Sequence, residues 1–121
     1  GDEQGRLKPV PAYVMVYEIS GPMFFGAADK IPHMERDNGC RVLILRMRSV
    51  PAMDITALNG LRRLYDECVR KNINVVFSHV NEQPMSVFRK SGMYDLVGAE
   101  NFQPNIDVAL ERAISIGGMP V

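Results

Sequence analysis

The sequence has no excess charge of either sign. Its 121 residues include 14 lysines and arginines and 14 aspartates and glutamates, so the formal net charge is zero. A domain that is drawn to nucleic acid or to an anionic membrane by its overall field is usually strongly basic, and this balance argues against both. We therefore predict no nucleic-acid partner.

The sequence also has few of the residues that build metal and redox sites. It contains two histidines, His33 and His79, and neither has a second ligand at a recognised metal spacing. The two cysteines, Cys40 and Cys68, are far apart and lie near apolar residues, so we expect reduced, partly buried thiols, as in a reducing cytoplasm. We predict no metal and no cofactor.

Long apolar runs are missing as well. A helix that crosses a bilayer needs about 20 apolar residues, whereas the longest uncharged run of strand-forming residues is 13–17. The chain starts with Gly-Asp-Glu-Gln-Gly, without a methionine or an apolar signal segment. We expect one domain over residues 1–121 taken from a longer protein, with a core at about 13–115 and flexible ends at 1–8 and 117–121.

What the sequence does contain is an alternation of strand-like and helix-like segments. Residues 13–19 and 73–78 are rich in β-branched and aromatic side chains. Residues 41–47 are apolar on both faces, as in a strand that helices cover on each side, and we place this strand at the sheet centre. Two prolines within residues 7–11 limit that segment to a short edge strand.

Helical periodicity is clearest over residues 55–71. Apolar residues recur there at spacings of three and four, and the opposite face carries Arg62, Asp66 and Arg70, each four apart. This pattern predicts a long amphipathic helix with ion pairs on its solvent side.

Three further helices are predicted. One covers residues 26–35 and is shortened or distorted by Pro32, and one runs from Pro84 at its first position to Gly92 as its left-handed cap. Another follows an Asn105 cap and has an apolar stripe of Ile106, Ala109, Leu110, Ala113 and Ile114. Short connections between alternating strands and helices predict an α/β fold with parallel strands and right-handed crossovers, packed as one layered unit.

The turn at residues 21–26 has the glycine spacing of a phosphate-binding loop. However, Ala27 and Ala28 stand where a lysine and a serine or threonine would hold the phosphate. Free backbone N–H groups at a helix start leave weak anion or nucleotide binding open at this turn. Because no serine lies in a Gly-x-Ser-x-Gly elbow and no metal or base-nucleophile arrangement is present, we do not predict an enzyme.

Arg46 and Arg48 lie two residues apart at the end of the central strand. Their side chains therefore share one side of that strand. They mark either an anionic partner surface or a solvated strand end, and we favour the solvated end.

Two segments are candidates for contact with a partner. In the first, Phe24 and Phe25 follow shortly after Pro22. Either one of the two rings is an exposed anchor for a partner, or both rings pack at the end of the core. In the second, an aspartate is placed to cap the long helix, and Thr56 lies where the helix dipole tolerates an added phosphate. The candidate surface is Pro22, Met23, Phe24, Phe25, Met53, Asp54, Ile55, Thr56 and Ala57, with Thr56 as the candidate switch.

Several stretches together resemble the STAS domain of SulP-type anion transporters. The first is Tyr-Glu-Ile-Ser-Gly-Pro-Met-Phe-Phe-Gly-Ala-Ala at 17–28, and its part from Gly-Pro onward is more specific to the transporter members than any single spacing. The resemblance covers most of the chain, from about 13 to 114. The other matching stretches, in the same order, are 41–47, 50–54, 75–81, 88–92 and 106–110.

The resemblance implies a core of parallel strands with one antiparallel edge strand. It also implies a cytoplasmic domain that follows the membrane part of a sulfate or related anion transporter and regulates transport. In the related anti-sigma-factor antagonists, the loop before the long helix reads Asp-Ser-Ser-Gly, and its phosphorylated second serine falls on Thr56. Here Ile55 replaces the first serine and Ala57 the glycine.

The leading interpretation is a regulatory domain at the cytoplasmic face of the inner membrane. It would dock on the membrane part of its own transporter, on a second copy of itself or on a cytoplasmic regulatory protein, and act by conformational coupling. The alternative is a free-standing switch that sequesters an anti-sigma factor and is released by phosphorylation at Thr56. An enzyme acting on nucleotides is a third and weaker interpretation.

Overall fold

The fold is known from a computed structural model, which describes residues 10–22 and 39–118. The strands are β1 (Val14–Ser20), β2 (Val42–Ser49), β3 (Asn74–Ser78) and β4 (Phe102–Gln103). The helices are α1 (Ile55–Arg70), α2 (Glu82–Ser91), α3 (Met93–Val97) and α4 (Ile106–Gly117), with a 3-10 helix at Ala99–Asn101. The predicted helix over residues 26–35 and the predicted flexible end at residues 1–8 lie outside the described residues.

The four strands form one sheet in the order β1-β2-β3-β4, and all three pairings are parallel. Across the sheet, Val16 faces Ile44, which faces Val76. This confirms the predicted α/β class with a central parallel sheet. The predicted antiparallel edge strand is not seen in the described part of the chain, because only Val10 and Pro11 of that segment are described and neither belongs to a strand.

The side chains of β2 alternate between two hydrophobic cores. Leu43, Leu45 and Met47 pack with α1, α2 and α3 on one face of the sheet. Val42 and Ile44 pack with α4 on the other face. Because helices cover both faces, successive residues of this strand are apolar, as the sequence indicated. Each such large side chain contributes about 1.5–3 kcal/mol when it is fully buried.

Arg46 lies on the α4 face of β2 and not at a solvated strand end. It is 5% exposed, and its register partners on the neighbouring strands are Glu18 and Ser78. The expectation that Arg46 lies at a solvated strand end was therefore wrong. Strand β2 continues to Ser49, beyond the apolar run that marked the strand in the sequence. Arg48 is half-buried, and its Nε donates to Glu18 Oε2 at 3.1 Å.

Helix α1 follows the predicted pattern except at its end, where Val69, predicted on the apolar face, is exposed. Leu58, Leu61 and Leu64 are buried against the sheet. On the solvent side, Arg62 Nε and Asp66 Oδ1 form an ion pair at 3.2 Å. Both partners are exposed, so this pair stabilises the helix by only a few tenths of a kcal/mol.

Helix α4 begins as predicted, because Asn105 Oδ1 accepts a hydrogen bond from the Val108 N–H at 3.0 Å. Ile114 was predicted in the apolar stripe but is exposed. Gly117, predicted to lie in a flexible end, instead ends this helix, is buried, and accepts at its carbonyl a bond from Arg41 Nη1 at 2.8 Å. The other stripe residues are buried as predicted: Ile106, Ala109, Leu110 and Ala113.

The segment from Met93 to Gln103 contains elements that the sequence did not reveal. Gly92 has φ +86° and caps α2 in the left-handed region, as predicted, whereas Pro84 is the third residue of that helix and not the first. The segment then forms α3, the 3-10 helix and β4. Phe102 holds it to the core, with its ring 5.1 Å from that of Phe77 and 4.8 Å from that of Tyr94. Within the described ranges, no helix combines the length and apolar character needed to span a membrane.

Candidate functional site

Both predicted contact segments leave the sheet at its carboxyl edge. The Gly21 N–H donates to the Ser49 carbonyl at 2.8 Å, which joins the end of β1 to the end of β2. Gly21 has φ +80°, a conformation that favours glycine, and the exposed Pro22 follows it. The carboxyl edge of a parallel sheet is where α/β domains commonly bind ligands. Met23, Phe24 and Phe25 lie outside the described residues, as does the remainder of the predicted phosphate-loop-like turn.

Burial divides the second contact segment into core and surface residues. Met53 and Ala57 are 1% and 6% exposed, so their side chains belong to the core and cannot form a contact surface. Ile55 is 56% exposed, and Thr56 is exposed beside it. Asp54 is half-buried, so the exposed part of the candidate surface among the described residues is Pro22, Ile55 and Thr56, which we call the contact surface.

Asp54 caps α1, as the sequence predicted. Its Oδ1 accepts a hydrogen bond from the Ala57 N–H at 2.9 Å. The first turn of α1 contains no acidic residue, so the positive end of the helix dipole is met only by the Asp54 carboxylate at the cap. Thr56 lies in this turn with its side chain at the surface, so an added phosphate would meet the positive end of the dipole and also the Asp54 carboxylate two residues earlier.

The loop between β2 and α1 is attached to the start of α2. Asn81 Nδ2 donates to the carbonyls of Val50 and Arg48 at 2.8 and 3.1 Å. Gln83 Oε1 accepts from the Met53 N–H at 2.8 Å, and its Nε2 donates to the Met53 carbonyl at 3.1 Å. Sequence reasoning missed both residues, because the bonds join segments 30 or more positions apart in the chain.

A shallow cleft of about 530 Å³ lies beside α2, at the carboxyl end of β3 and β4. His79 is one of its lining residues and has φ +55°, unusual for a residue other than glycine. The Arg89 guanidinium lies 5.0 Å from the centre of the Tyr94 ring, within the range of a cation–π contact. The lining of the cleft thus combines the apolar side chains of Val80, Met85 and Phe102 with charged and polar side chains.

The cysteines and acidic residues of the described ranges show no arrangement for metal or thiol chemistry. No group of three His, Cys, Asp or Glu side chains among residues 10–22 and 39–118 is placed to hold a metal ion. Cys40 is half-buried and Cys68 is buried, and both are free thiols. Burial, together with the nearby Glu67, raises the pKa of the Cys68 thiol to about 12. Cys68 therefore stays protonated at neutral pH, and a protonated thiol is a poor nucleophile.

The described residues thus form a layered α/β domain whose candidate contacts lie at the carboxyl edge of a parallel sheet. The profile of the STAS domain family matches residues 7–109. The chain belongs to the STAS domain family.

Individual relatives point to one branch of that family. The Bacillus subtilis (strain 168) protein YvdB, which carries a sulfate-transporter name, is 29% identical over 94 residues, which are 74% of this chain and 17% of YvdB. The chain thus spans less than a fifth of that relative's length. An Arabidopsis thaliana protein that is also named as a sulfate transporter is 28% identical over 91 residues, which are 75% of this chain and 13% of that protein.

Two solved structures share the fold. A sulfate transporter family protein from Wolinella succinogenes has a TM-score of 0.85 at 32% identity, and the match covers 93% of each chain. The SulP transporter STAS domain from Vibrio cholerae has a TM-score of 0.74 at 31% identity, with 88% of this chain and 85% of that chain covered. The resemblance to SulP-type STAS domains read from the sequence is therefore confirmed.

Proposed function

We propose that this chain is the regulatory domain of a SulP-type transporter of sulfate or a related anion, and that it acts by docking and not by catalysis. Similarity to SulP STAS domains and to a much longer transporter-named relative supports this proposal. In this proposal the domain lies at the cytoplasmic face of the inner membrane, as part of a larger membrane protein. The membrane part of the same chain is its main partner, and a second copy or a cytoplasmic protein are further partners.

The observation that carries the docking proposal is the exposure of Ile55 and Thr56 on an otherwise fixed scaffold. An aliphatic side chain that is 56% exposed beside a buried Met53 and a capped helix start is a rigid apolar contact. Such contacts cost little conformational entropy on binding, since the backbone that carries them is already ordered. Met23, Phe24 and Phe25, which follow Pro22 in sequence, belong to the same proposed surface.

The mechanism is conformational coupling between the domain and the membrane part. If the contact surface binds one state of the transporter more tightly than the other, docking shifts the population by that difference in affinity and no more. No cofactor is needed for this mechanism. A weakly bound anion or nucleotide at the carboxyl edge would likewise shift the population by the difference between its affinities for the two states.

A charge placed on the contact surface tests the proposal. Ile55→Asp should weaken binding of the domain to the purified membrane part of its transporter at least tenfold, because an unpaired carboxylate would be buried in the interface. The matched control is Val69→Asp, since Val69 lies in the same helix and is 53% exposed. Binding is measured as Kd by calorimetry, with thermal unfolding of both variants recorded beside it.

The result is decided by the difference between the two variants. Loss of binding in Ile55→Asp with normal binding in Val69→Asp supports the contact surface. Equal binding of both variants, or equal loss in both, would show that Ile55 is not at the interface.

A second candidate function is the phosphorylation switch at Thr56. The exposed hydroxyl at the positive end of a helix without an acidic first turn favours it, whereas Ile55 and Ala57 depart from the motif of the phosphorylated relatives. Thr56→Asp should abolish partner binding if phosphate controls release. If Thr56→Asp binds like the unmodified chain, the switch is excluded.

A further inference from the structure

The side chain of Gln83 holds both main-chain polar groups of Met53. Its Oε1 accepts from the Met53 N–H at 2.8 Å, and its Nε2 donates to the Met53 carbonyl at 3.1 Å. Two bonds from one planar amide fix the peptide units on both sides of Met53 relative to α2. The Met53 side chain is at the same time buried in the core.

Asn81, two residues before Gln83, attaches the end of β2 and the beginning of the same loop. It stands at the N-cap position of α2, yet its side chain forms no cap bond. Its Nδ2 instead donates to the carbonyls of Val50 and Arg48 at 2.8 and 3.1 Å. An N-cap asparagine commonly stabilises its own helix by accepting a backbone N–H bond. The Asn81 side chain instead donates its hydrogen bonds to the segment before α1.

The loop held in this way leads directly into the contact surface. Met53 is followed by the cap Asp54 and then by Ile55 and Thr56. A rotation of the Met53 peptide would change the direction in which α1 begins, and with it the position of both exposed side chains.

We propose that Gln83 and Asn81 are positioning residues for the contact surface: through their four hydrogen bonds, the start of α2 holds Ile55 and Thr56 in the orientation that docks. The docking role of those two side chains rests on the proposed function, whereas the positioning itself concerns only this chain. Residues outside the contact surface would then control its affinity for the partner.

Isosteric substitutions test the bonds without changing packing volume. Gln83→Glu keeps the acceptor for the Met53 N–H but brings a carboxylate oxygen against the Met53 carbonyl. Asn81→Asp removes the donor to Arg48 and Val50. Glu82→Gln is the matched control. Glu82 lies between the two residues and is exposed, and this substitution exchanges a carboxylate for an amide of the same shape, the reverse of the other two changes. Gln83→Ala removes both bonds to Met53.

The first measurement is hydrogen exchange of the Met53 amide, with the amide of Ile44 in the sheet centre as internal reference. In Gln83→Ala we expect Met53, which loses its own acceptor, to exchange about tenfold faster or more, while Ile44, which reports the global stability, accelerates by a clearly smaller factor. Glu82→Gln should leave both amides unchanged. Equal acceleration at Met53 and Ile44 would indicate general destabilisation, and an unchanged Met53 would show that Gln83 does not hold the loop; either result overturns the inference.

The second measurement is the docking Kd of the same variants. Gln83→Glu, Gln83→Ala and Asn81→Asp should weaken docking severalfold at a temperature where thermal unfolding shows each variant fully folded, although none of them alters the contact side chains. If Ile55→Asp abolishes docking while these variants dock normally, positioning is overturned and the proposed function stands. If Ile55→Asp itself docks normally, the contact surface is wrong, and the Met53 exchange result still decides whether Gln83 fixes the loop.

Discussion

At the scale of single residues, Asp54 stabilises the start of the long helix α1. Its carboxylate satisfies the Ala57 N–H and lies at the positive end of the dipole. Asp54→Ala should lower the free energy of unfolding by about 1 kcal/mol, whereas Asp54→Asn should retain most of the stability, since asparagine also caps well. Urea unfolding measures both. Thr56→Ala, in the same turn, should change stability by less than about 0.5 kcal/mol, and a loss as large as that of Asp54→Ala would contradict the capping role.

The raised pKa of Cys68 predicts a specific loss of stability at alkaline pH. Burial raises its pKa from 9.0 to about 12 in the folded chain. Below pH 9 both folded and unfolded chains keep the thiol proton, so this group adds no pH dependence there. Between pH 9 and 12 only the unfolded chain releases it, and the free energy of unfolding falls by up to about 1.4 kcal/mol per pH unit.

Cys68→Ala should remove this part of the alkaline slope. The variant loses packing at every pH, but its unfolding free energy should fall less steeply than that of the unmodified chain between pH 9 and 11. Denaturant unfolding at several pH values measures the two slopes. Parallel curves would mean that the buried thiol does not titrate as described.

Single residues were predictable from the sequence only where their role is local. Asp54 and Asn105 cap the helices that immediately follow them, and both caps were predicted. The burial of Met53 and Arg46 depends on strands and helices distant in sequence, so their positions were not predictable from neighbours. Gln83 gave no local signal either, because its bonds reach 30 residues back along the chain.

At the scale of elements, Gly92 joins α2 to α3 in a left-handed conformation. Its φ is +86°, and a Cβ at this position would contact nothing within 4 Å, so the cost of a side chain comes from the backbone alone. Gly92→Ala should destabilise the fold by about 1–2 kcal/mol. Gly92→Asn should cost clearly less, because asparagine tolerates this region. Thermal unfolding compares the two, and an equal loss would contradict a purely backbone effect.

The long elements were predicted well and the short ones were not. Helix α1 and helix α4 carry their own apolar periodicity, which locates them without tertiary information. By contrast, α3 has five residues and β4 has two, so neither is long enough to show a period. Their position depends on the contacts of Phe102 with Phe77 and Tyr94, which join residues distant in the sequence.

At the scale of the whole molecule, the parallel sheet followed from the order of elements. Connections too short to cross a sheet without a helix leave parallel pairing as the consistent topology, and the pairings of β1, β2 and β3 agree. The exclusion of Met53 and Ala57 from the surface did not follow, since a pattern of residue types does not show which side of a loop faces the core. The surface that docks is therefore smaller than the predicted one among the described residues.

The central claim is that this domain works as part of a membrane transporter, and fractionation of native cells tests it most directly. An antibody against the domain is used to record, in one blot, both the compartment and the apparent mass of the protein. The account predicts a band several times larger than this chain, retained in the membrane fraction. A soluble band near the mass of this chain alone would contradict it and leave the free-standing switch at Thr56 as the function to pursue.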